Sequence, residues 1–270
     1  MDKVGYPFFC RKYTACLTGP GRFCRRFIRK DAAYGVDRVS AREYEQNLEA
    51  NIRDLVERLK RKAYRAKLVR RQYIPKGDGG ERPLGIPATE DKLLQLAVKR
   101  ILEAIYEPDF LKCSYGYRPK VGAREAVHDL TVKLQFGKYH YVVEADIKGF
   151  FDHVDHEWMI RMLQERVNDR ALLQLIQKWL KAGVLEQDGQ VIHPAAGTPQ
   201  GGVISPIPWT DRQDRLANIT LHHVLDLWFQ KVVKKRCRGE ACLIRYADDF
   251  VSAFERQEDA ERFHQELPER

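Results

Sequence analysis

The stretch LIRYADDFVSAF, residues 243–254, decides how this chain is expected to fold. Its two short apolar segments flank Ala247, Asp248 and Asp249, a pattern that predicts a β-hairpin bending at the two aspartates. Two adjacent like charges at a tight bend with little water are electrostatically costly. A divalent cation removes this cost, and Mg²⁺ is typically bound by one or two carboxylates together with substrate phosphates. The hairpin therefore predicts a metal site, with an ordinary solvated turn as the alternative.

A third aspartate lies at the end of a second predicted strand. Residues 139–147 read YHYVVEADI, a β-branched and aromatic run in which Asp146 is the next-to-last residue. If this strand is a neighbour of the hairpin, Asp146 joins Asp248 and Asp249, and the three carboxylates converge into a site for two metal ions. The sequence thus predicts a metal centre built from two separate parts of the chain.

A glycine-rich loop precedes the hairpin. Residues 197–206 read GTPQGGVISP. Glycine lets a backbone approach a flat ligand closely, and the side-chain amide of Gln200 can both donate and accept hydrogen bonds. The loop is suited to a nucleotide, although taken alone it is equally compatible with an ordinary connection.

Positive charge is concentrated in the first third of the chain. The chain has 270 residues, with 47 Lys and Arg against 38 Asp and Glu, and a formal net charge of +9. Residues 1–90 hold 21 basic and 11 acidic residues (+10), which leaves 26 and 27 (−1) for residues 91–270. Residues 58–76 contain nine basic residues, no acid, and the interleaved Tyr64 and Tyr73. This predicts a polyphosphate partner, nucleic acid rather than membrane because no apolar face accompanies the charge; a solvated helix face is the alternative.

The composition excludes several other classes of protein. Hydrophobic residues make up 44% of the chain and charged residues 31%, as in globular proteins and unlike disordered, collagen-like or coiled-coil ones. Apolar runs are far shorter than the roughly 20 residues needed to cross a bilayer, and no signal peptide is recognisable, so we expect a cytoplasmic protein without a membrane partner. The six cysteines form no C-x-x-C pair, so we expect reduced thiols and neither a zinc site nor disulfides.

The pattern of helices and strands predicts an α+β fold. Ser40 and Glu43 form a capping-box pattern, and apolar residues then recur at helical spacing from Leu48 to Leu59. Residues 69–87 predict a second hairpin, with a turn rich in Gly and Pro at 75–80. Further helices are predicted over residues 90–106, 122–136, 155–166, 170–181 and 258–267.

Six sequence blocks together resemble the reverse transcriptases encoded by bacterial group II introns. The resemblance extends from residue 33 to residue 267, and the blocks follow the order of that family. They are GVD (35–37), RPLGIP (82–87), SYGYRP (114–119), DIKGFFD (146–152), GTPQGGVISP (197–206) and YADD (246–249).

The resemblance implies a right-hand polymerase fold with fingers and palm subdomains. A basic N-terminal lead-in would occupy residues 1–32, the fingers residues 33–138 and the palm residues 139–270. The palm would be an antiparallel sheet packed on helices, and the thumb of the family would be absent from this chain.

The resemblance also implies roles for the acidic residues and their neighbours. Asp146 and Asp248 would be ligands of two Mg²⁺ ions, for which Mn²⁺ can substitute, with Asp249 completing the acidic cluster and the Ile147 carbonyl a further ligand. Phe151 would be the steric gate that favours deoxynucleotides over ribonucleotides, and a core phenylalanine is the alternative reading of this residue.

The remaining site residues implied by the resemblance would contact substrates. Lys76 and Arg82 would bind the incoming triphosphate, and Gln200 and Gly201 would line the nucleotide pocket. Tyr246 would support the primer end. Residues expected to contact RNA are Arg118, for which a structural ion pair is the alternative, and Arg61, Lys62, Arg70 and Arg71.

The chain departs from the family's pattern at two places. An insertion over residues 207–215, IPWTDRQDR, separates the glycine-rich loop from the LANI helix, and the chain stops at Arg270. Two functions are therefore expected. The first is an RNA-directed DNA polymerase that acts on an RNA template, a DNA primer and deoxynucleoside triphosphates, from a parent protein that also binds intron RNA as a splicing maturase. The alternative is a truncated, weakly active or inactive RNA-binding fragment of such a protein.

Overall fold

The computed structural model describes residues 31–75, 77, 79–193, 197 and 215–269. They belong to two compact units, and each unit is assembled from two separate stretches of chain. The first unit lies within residues 1–104 and 151–209, and the second within residues 105–150 and 210–270. The chain passes between these units more than once. The division into fingers and palm at residue 138 stays a prediction. Most of the predicted lead-in and nearly all of the 207–215 insertion lie outside the described residues.

The helices and strands confirm the mixed α+β character. The helices are α1 (Ala41–Gln46), α2 (Leu48–Lys60), α3 (Thr89–Tyr106), α4 (Ala123–Phe136), α5 (Phe150–His153), α6 (His156–Gln164), α7 (Arg170–Leu180), α8 (Arg215–Leu221), α9 (Lys234–Arg236) and α10 (Gln257–Glu266). The strands are β1 (Val69–Pro75), β2 (Glu81–Ile86), β3 (Tyr141–Asp146), β4 (Val184–Leu185), β5 (Val191–Ile192), β6 (Ala241–Tyr246) and β7 (Asp249–Phe254).

The first helical region of the first unit begins where the sequence predicts. The Ser40 hydroxyl accepts from the Glu43 N–H, and the Glu43 carboxylate accepts from the Ser40 N–H, which is the reciprocal capping box. The predicted single helix is divided at Asn47 into α1 and α2. Along α2 the apolar stripe faces inward, so that Ile52 and Leu55 are buried.

The first unit contains a four-stranded sheet in the order β2-β1-β4-β5. β1 and β2 form the predicted antiparallel hairpin, with Arg70 opposite Ile86 and Pro75 opposite Glu81. β1 also pairs in parallel with β4, where Val69 lies opposite Val184. A short hairpin, β4–β5, completes the sheet. The parallel pairing is a feature that local sequence patterns did not predict.

The second unit contains an antiparallel sheet in the order β3-β7-β6. One helical segment, residues 215–236, packs on it and includes two π-helical turns, His222–Asp226 and Phe229–Val233. Phe229 contacts the rings of Phe254 on β7 and Phe263 on α10, and these residues belong to one buried apolar cluster. The prediction of an antiparallel sheet packed on helices is confirmed for this unit.

Two further expectations concern membranes and cysteines. No helix in the described part of the chain has the length and apolar character needed to span a bilayer. Cys113, Cys237 and Cys242 carry free thiols. Burial is the main cause that raises the pKa of Cys113, to about 12.

Candidate active site

β3 and β7 bring two of the predicted carboxylates together. Asp146, the last residue of β3, lies directly opposite Asp249, the first residue of β7, in the antiparallel register. Both residues are exposed to solvent. Partial desolvation, the charge of Asp146, the hydrogen bond with Asp146 and the charge of Glu144 raise the pKa of Asp249 above its usual value. A carboxyl group whose ionisation is hindered by acidic neighbours in this way suits a divalent cation.

Ala247 and Asp248 form the turn between β6 and β7. Tyr246 pairs with Asp249 across the hairpin, so Asp248 lies in the turn itself and Asp249 begins the return strand. Ala247 has a φ of 58°, in the left-handed region that residues with a β-carbon disfavour. Ala247 is buried, Asp248 is half-buried and Tyr246 is 41% exposed. A residue in a disfavoured backbone conformation therefore immediately precedes the two aspartates.

Arg245, directly before the turn, is completely buried and paired with Asp226. Its Nε and Nη2 donate to the two carboxylate oxygens of Asp226, each at 2.7 Å, and neither side chain is exposed (0% for both). Burial alone would raise the pKa of Asp226, but the charge and hydrogen bonds of Arg245, with a smaller contribution from His222, outweigh burial and hold it below its usual value. The pairing is the bidentate arrangement in which arginine and carboxylate interact most strongly.

The same guanidinium group contacts the turn and two neighbouring elements. Nη1 of Arg245 donates to the Ala247 carbonyl at 2.9 Å and to Oδ1 of Asn218 at 3.0 Å, and Nη2 donates to the Ser114 hydroxyl at 2.7 Å. Asn218 in turn donates from Nδ2 to the Gly116 carbonyl at 2.6 Å. We call Ser114, Asn218, Asp226 and Arg245 the buried polar cluster.

Sequence analysis did not identify the buried polar cluster. A signal for Arg245 was present, because it is the charged member of the otherwise apolar run ACLIRY. Strand alternation places Arg245 on the same face as Ala241 and Leu243, both of which belong to the apolar core. A charge in that position requires a buried partner. Asp226, however, is distant in sequence and could not be assigned from the pattern.

Carboxylate oxygens at the β3–β7 edge fit Mg²⁺ by their chemistry. Within the described residues, no group of three or more His, Cys, Asp or Glu side chains is arranged to hold a metal ion. The predicted convergence of three carboxylates is thus represented here by the pair Asp146 and Asp249, with Asp248 next to it in the turn. Mg²⁺ usually takes one or two protein carboxylates and completes its shell with water and substrate phosphates, so such a pair is adequate.

Several predicted substrate residues lie outside what the structure describes. Lys76, Gln200 and Gly201 are not among the described residues, and of Phe151 only its place in α5 is described. The beginning of the glycine-rich loop is visible at Gly197, whose N–H donates to the Val154 carbonyl at 2.8 Å. The Gly197 carbonyl also lies 2.5 Å from Nε2 of His156.

The other predicted contacts around the hairpins are placed as follows. Arg82 is exposed on β2, opposite Ile74 of β1. The Ile147 carbonyl accepts a hydrogen bond from the Phe150 N–H at 3.2 Å, which leaves it a second lone pair for another contact. Tyr246 presents an exposed ring beside the turn.

Arg118 makes contacts within the second unit. It pairs with Glu107 at 2.9 Å and donates to the carbonyls of Leu111 and Ser114. Its guanidinium carbon also lies 5.4 Å from the centre of the Phe110 ring. These contacts match the structural ion pair that the sequence left open, and the role of Arg118 on a template remains a prediction.

The basic segment divides into exposed and engaged side chains. Arg61 and Lys62, just after α2, are exposed. Arg70, by contrast, donates to the Tyr34 carbonyl, and Arg71 pairs with Glu186 at 2.9 Å. The four residues of the basic segment that are predicted to bind RNA are therefore not equivalent.

Three comparisons with known proteins bear on this arrangement. The family model described as "Reverse transcriptase (RNA-dependent DNA polymerase)" matches residues 74–270. The group II intron-encoded protein LtrA of Lactococcus lactis subsp. cremoris is 44% identical over 177 residues, which cover 65% of this chain and 28% of LtrA. Protein YkfC of Escherichia coli K12 is 33% identical over 247 residues, which cover 80% of this chain and 62% of YkfC. The chain thus spans less than two thirds of these relatives.

A solved structure shares the fold at low sequence identity. The telomerase from Candida albicans, in complex with a TWJ fragment of telomeric RNA, superposes with a TM-score of 0.53 and 13% identity, over 85% of this chain and 45% of that one. The family model includes the β6–β7 hairpin and β3, which carry the paired carboxylates. The resemblance to group II intron reverse transcriptases is confirmed, and this chain belongs to the reverse transcriptase (RNA-dependent DNA polymerase) family.

Proposed function

We propose that this chain carries the nucleotidyl-transfer centre of a group II intron-type reverse transcriptase, which adds deoxynucleotides to a primer 3′-hydroxyl on an RNA template. The observation that carries the proposal is the register of Asp146 opposite Asp249, next to Asp248 in the hairpin turn. In this proposal the second unit corresponds to the palm and the β1–β2 hairpin of the first unit to the fingers. A parent protein with a maturase role in intron splicing is part of the same proposal.

The carboxylates would hold two Mg²⁺ ions through Asp146, Asp248 and Asp249, with the Ile147 carbonyl as a further ligand. Bound Mg²⁺ would lower the pKa of the attacking hydroxyl and stabilise charge on the phosphate oxygens. The protein's own contribution is to keep the carboxylate oxygens at one sheet edge, where strand pairing fixes Asp146 against Asp249.

Other side chains would orient the substrates. Lys76 and Arg82 on the basic hairpin would bind the triphosphate, while Gln200 and Gly201 would line the nucleotide pocket. The exposed ring of Tyr246 would support the primer end, and Phe151 would exclude a ribose 2′-hydroxyl.

Primer extension on an RNA template with Mg²⁺ tests the proposal. We expect weak, distributive extension that Asp248→Ala abolishes while RNA binding persists. Asp188→Ala is the matched control, because Asp188 also lies in a hairpin turn, where it accepts from the Gln190 N–H, but belongs to the first unit. Extension that survives Asp248→Ala would contradict the site. RNA binding by a wild-type chain that never extends a primer would favour the RNA-binding fragment instead.

Sugar selectivity tests Phe151 separately. We expect Phe151→Val to relax discrimination against ribonucleotides. Phe150→Leu serves as its control, since Phe150 is buried and its truncation lowers stability without altering the sugar preference. Unchanged selectivity in Phe151→Val would remove the gate role and leave the core reading.

The salt dependence of RNA affinity tests the basic segment. Each phosphate contact contributes roughly 0.7 to 0.9 to the slope of log affinity against log salt. The double variant Arg61→Gln/Lys62→Gln should flatten the slope by about 1 to 2, because both side chains are exposed. Arg70→Gln/Arg71→Gln should flatten it less, since these groups are engaged by the Tyr34 carbonyl and by Glu186. Equal slopes in wild type and both variants would place the RNA elsewhere.

A further inference from the structure

We propose that Arg245 is a positioning residue for the catalytic turn: through the Ala247 carbonyl, and supported by Ser114, Asn218 and Asp226, it fixes where Asp248 and Asp249 present their carboxylates to metal. The inference rests on the proposed function of that turn as the metal site. It assigns to the buried polar cluster a role that differs from holding the core together.

The location of Arg245 argues against a purely stabilising role. It follows Ala241 and Leu243 on the face of β6 that packs against Leu225 and Phe229 of the helical segment. An apolar side chain would continue this core, and replacing a buried ion pair by apolar residues is often neutral or stabilising. Arginine at this point instead requires a buried aspartate, an asparagine and a serine as partners.

The backbone at Ala247 shows what the cluster supports. A φ of 58° is disfavoured for alanine, so this conformation persists only where the surroundings determine it. Nη1 of Arg245 holds the Ala247 carbonyl at 2.9 Å. Gly116 approaches the turn so closely that a β-carbon there would lie 2.2 Å from the Ala247 nitrogen. Asn218 joins both supports, because it contacts Arg245 and the Gly116 carbonyl.

The bond from Arg245 to Ala247 would hold the turn that carries the carboxylates of Asp248 and Asp249. Asp249 lies opposite Asp146, so that two ionised carboxylates at these positions would repel each other when no cation is bound. A free hairpin end would relieve the repulsion by moving apart. The bond from Arg245 to Ala247 lies one residue before Asp248, so it resists that movement and keeps the site close to its metal-bound arrangement. Removing a group that orients a metal ligand typically lowers metal affinity or activity by roughly 10–100-fold.

The helical segment has a matching irregularity. Asp226 is the last residue of the π-helical turn His222–Asp226. Such turns are rare and occur frequently at functional sites. Its carboxylate makes both contacts with Arg245, so the irregular part of the helix is the part that faces the residue before the turn.

Two variants separate positioning from stability. Arg245→Met/Asp226→Leu removes both charges together and leaves no buried charge unpaired. Asn218→Ala keeps the ion pair and removes a neutral link, so it remains informative if the double variant fails to fold. Asp259→Asn is the control: Asp259 is a buried carboxylate of the same unit that accepts from the backbone N–H groups of Arg238 and Gly239.

Metal affinity is read first by titrating Mn²⁺ with electron paramagnetic resonance in the absence of substrate, and then as the Mg²⁺ concentration that gives half-maximal primer extension. We expect both variants to unfold cooperatively yet to bind Mn²⁺ roughly 10–100-fold more weakly than wild type. Asp259→Asn should keep the wild-type affinity. A folded double variant or Asn218→Ala protein with wild-type Mn²⁺ affinity would overturn the proposal.

Hydrogen exchange of the turn distinguishes this inference from the proposed function. If wild type binds Mn²⁺ but extends no primer, polymerisation fails while the metal titration still decides the positioning role. If wild type binds no Mn²⁺, the proposed metal site is refuted. Amide exchange over residues 246–249 is then the one measurement that tests whether Arg245 positions the turn. Faster exchange at this turn in Asn218→Ala, with the core of β6 and β7 unchanged, supports positioning. Exchange identical to wild type at the turn overturns it.

Discussion

Neutralising Asp226 is expected to cause a large loss of stability. In Asp226→Asn the guanidinium group of Arg245 stays in place but loses its counter-charge. Both side chains are 0% exposed and share two bonds of 2.7 Å, so solvent cannot replace the missing charge. Removing one partner of a buried ion pair costs about 3–5 kcal/mol. The asparagine oxygen can still accept one of the two bonds, which places the expected loss near the lower end, at about 3 kcal/mol.

Scanning calorimetry measures this loss. Each kcal/mol corresponds to about 2–4 °C for chains of 150–250 residues, so 3 kcal/mol predicts a decrease in the unfolding temperature of about 6–12 °C. Calorimetry also shows whether the two units unfold together or in separate transitions, which decides the transition to which the loss is assigned. Asp259→Asn, whose carboxylate is held mainly by backbone N–H groups, should lose less, about 1–3 kcal/mol.

The stability difference between wild type and Asp226→Asn should depend on pH, which gives a second test of the role of this carboxylate. Burial raises the pKa of Asp226 in the folded protein, and Arg245 together with His222 lowers it below its usual value. A carboxyl group with a lowered pKa stabilises the fold above its unfolded-state pKa, and this stabilisation is lost as the pH falls through the folded-state pKa. The gap between wild type and Asp226→Asn should therefore be full at neutral pH and should shrink on acidification below the usual range of aspartate.

Two outcomes would refute this reasoning. A loss below about 1 kcal/mol in Asp226→Asn would mean that the buried charge finds other compensation. If Arg245→Met/Asp226→Leu were as unstable as the single variant, the cost would come from packing and from the lost neutral bonds of Arg245, and not from an unpaired charge.

Three further predictions follow from the same unit. Asp249→Asn should raise the free energy of unfolding in EDTA by up to about 1 kcal/mol, the value for a pair of like charges on neighbouring strands, and should remove stabilisation by Mg²⁺. Since the pKa of Asp249 is raised in the folded protein, the stability gain of Asp249→Asn over wild type should grow from acidic to neutral pH. Gly116→Ala should lower stability by about 1–3 kcal/mol and reduce extension, because its β-carbon would lie 2.2 Å from the Ala247 nitrogen. Native Cys113, whose pKa is raised to about 12, should resist iodoacetamide at pH 8 until the protein is unfolded in urea, as shown by peptide mass mapping.

Each of these has a matched control. Glu144→Gln alters a charge on the neighbouring strand β3 that contributes less to the pKa of Asp249, so it should stabilise less and preserve the Mg²⁺ effect. Gly122→Ala places its β-carbon no closer than 3.5 Å to Glu125 and should be better tolerated than Gly116→Ala. The prediction for Asp249 would be contradicted if Mg²⁺ still stabilised Asp249→Asn, and the prediction for Gly116 would be contradicted if Gly116→Ala extended primers like wild type. Rapid labelling of Cys113 in the folded protein would contradict the third.

Local patterns in the sequence predicted the elements that carry the site. The apolar segments around Asp248 and Asp249 predicted the β6–β7 hairpin, and the β-branched run ending near Asp146 predicted β3. The capping box at Ser40 and the helical spacing after Leu48 were equally local. These features depend on residues a few positions apart, which is the range over which periodicity and turn chemistry carry information.

Contacts between distant residues were not predictable in the same way. Arg245 is paired with a residue 19 positions away and hydrogen-bonded to one 131 positions away. The parallel pairing of Val69 with Val184 and the bond from Arg71 to Glu186 likewise join remote segments. The sequence also offers no separate signal for the two π-helical turns. Only the charge of Arg245 within an apolar strand indicated that a buried partner must exist.

Two aspartates of the second unit, Asp226 and Asp249, lie in opposite electrostatic environments. Asp226 is completely buried and receives a matched positive charge from Arg245, so its own charge is fully compensated. Asp249 lies at the beginning of β7, and the charged neighbours that shift its pKa, Asp146 and Glu144, are both acidic. The guanidinium group adjacent to the turn could have compensated the edge carboxylates, but it bonds the Ala247 carbonyl and Asp226 instead. A basic side chain paired with Asp146 and Asp249 would compete with a metal ion. The guanidinium group of Arg245, bonded to the Ala247 carbonyl, instead fixes the conformation of the turn and leaves the negative charge of these carboxylates available for Mg²⁺.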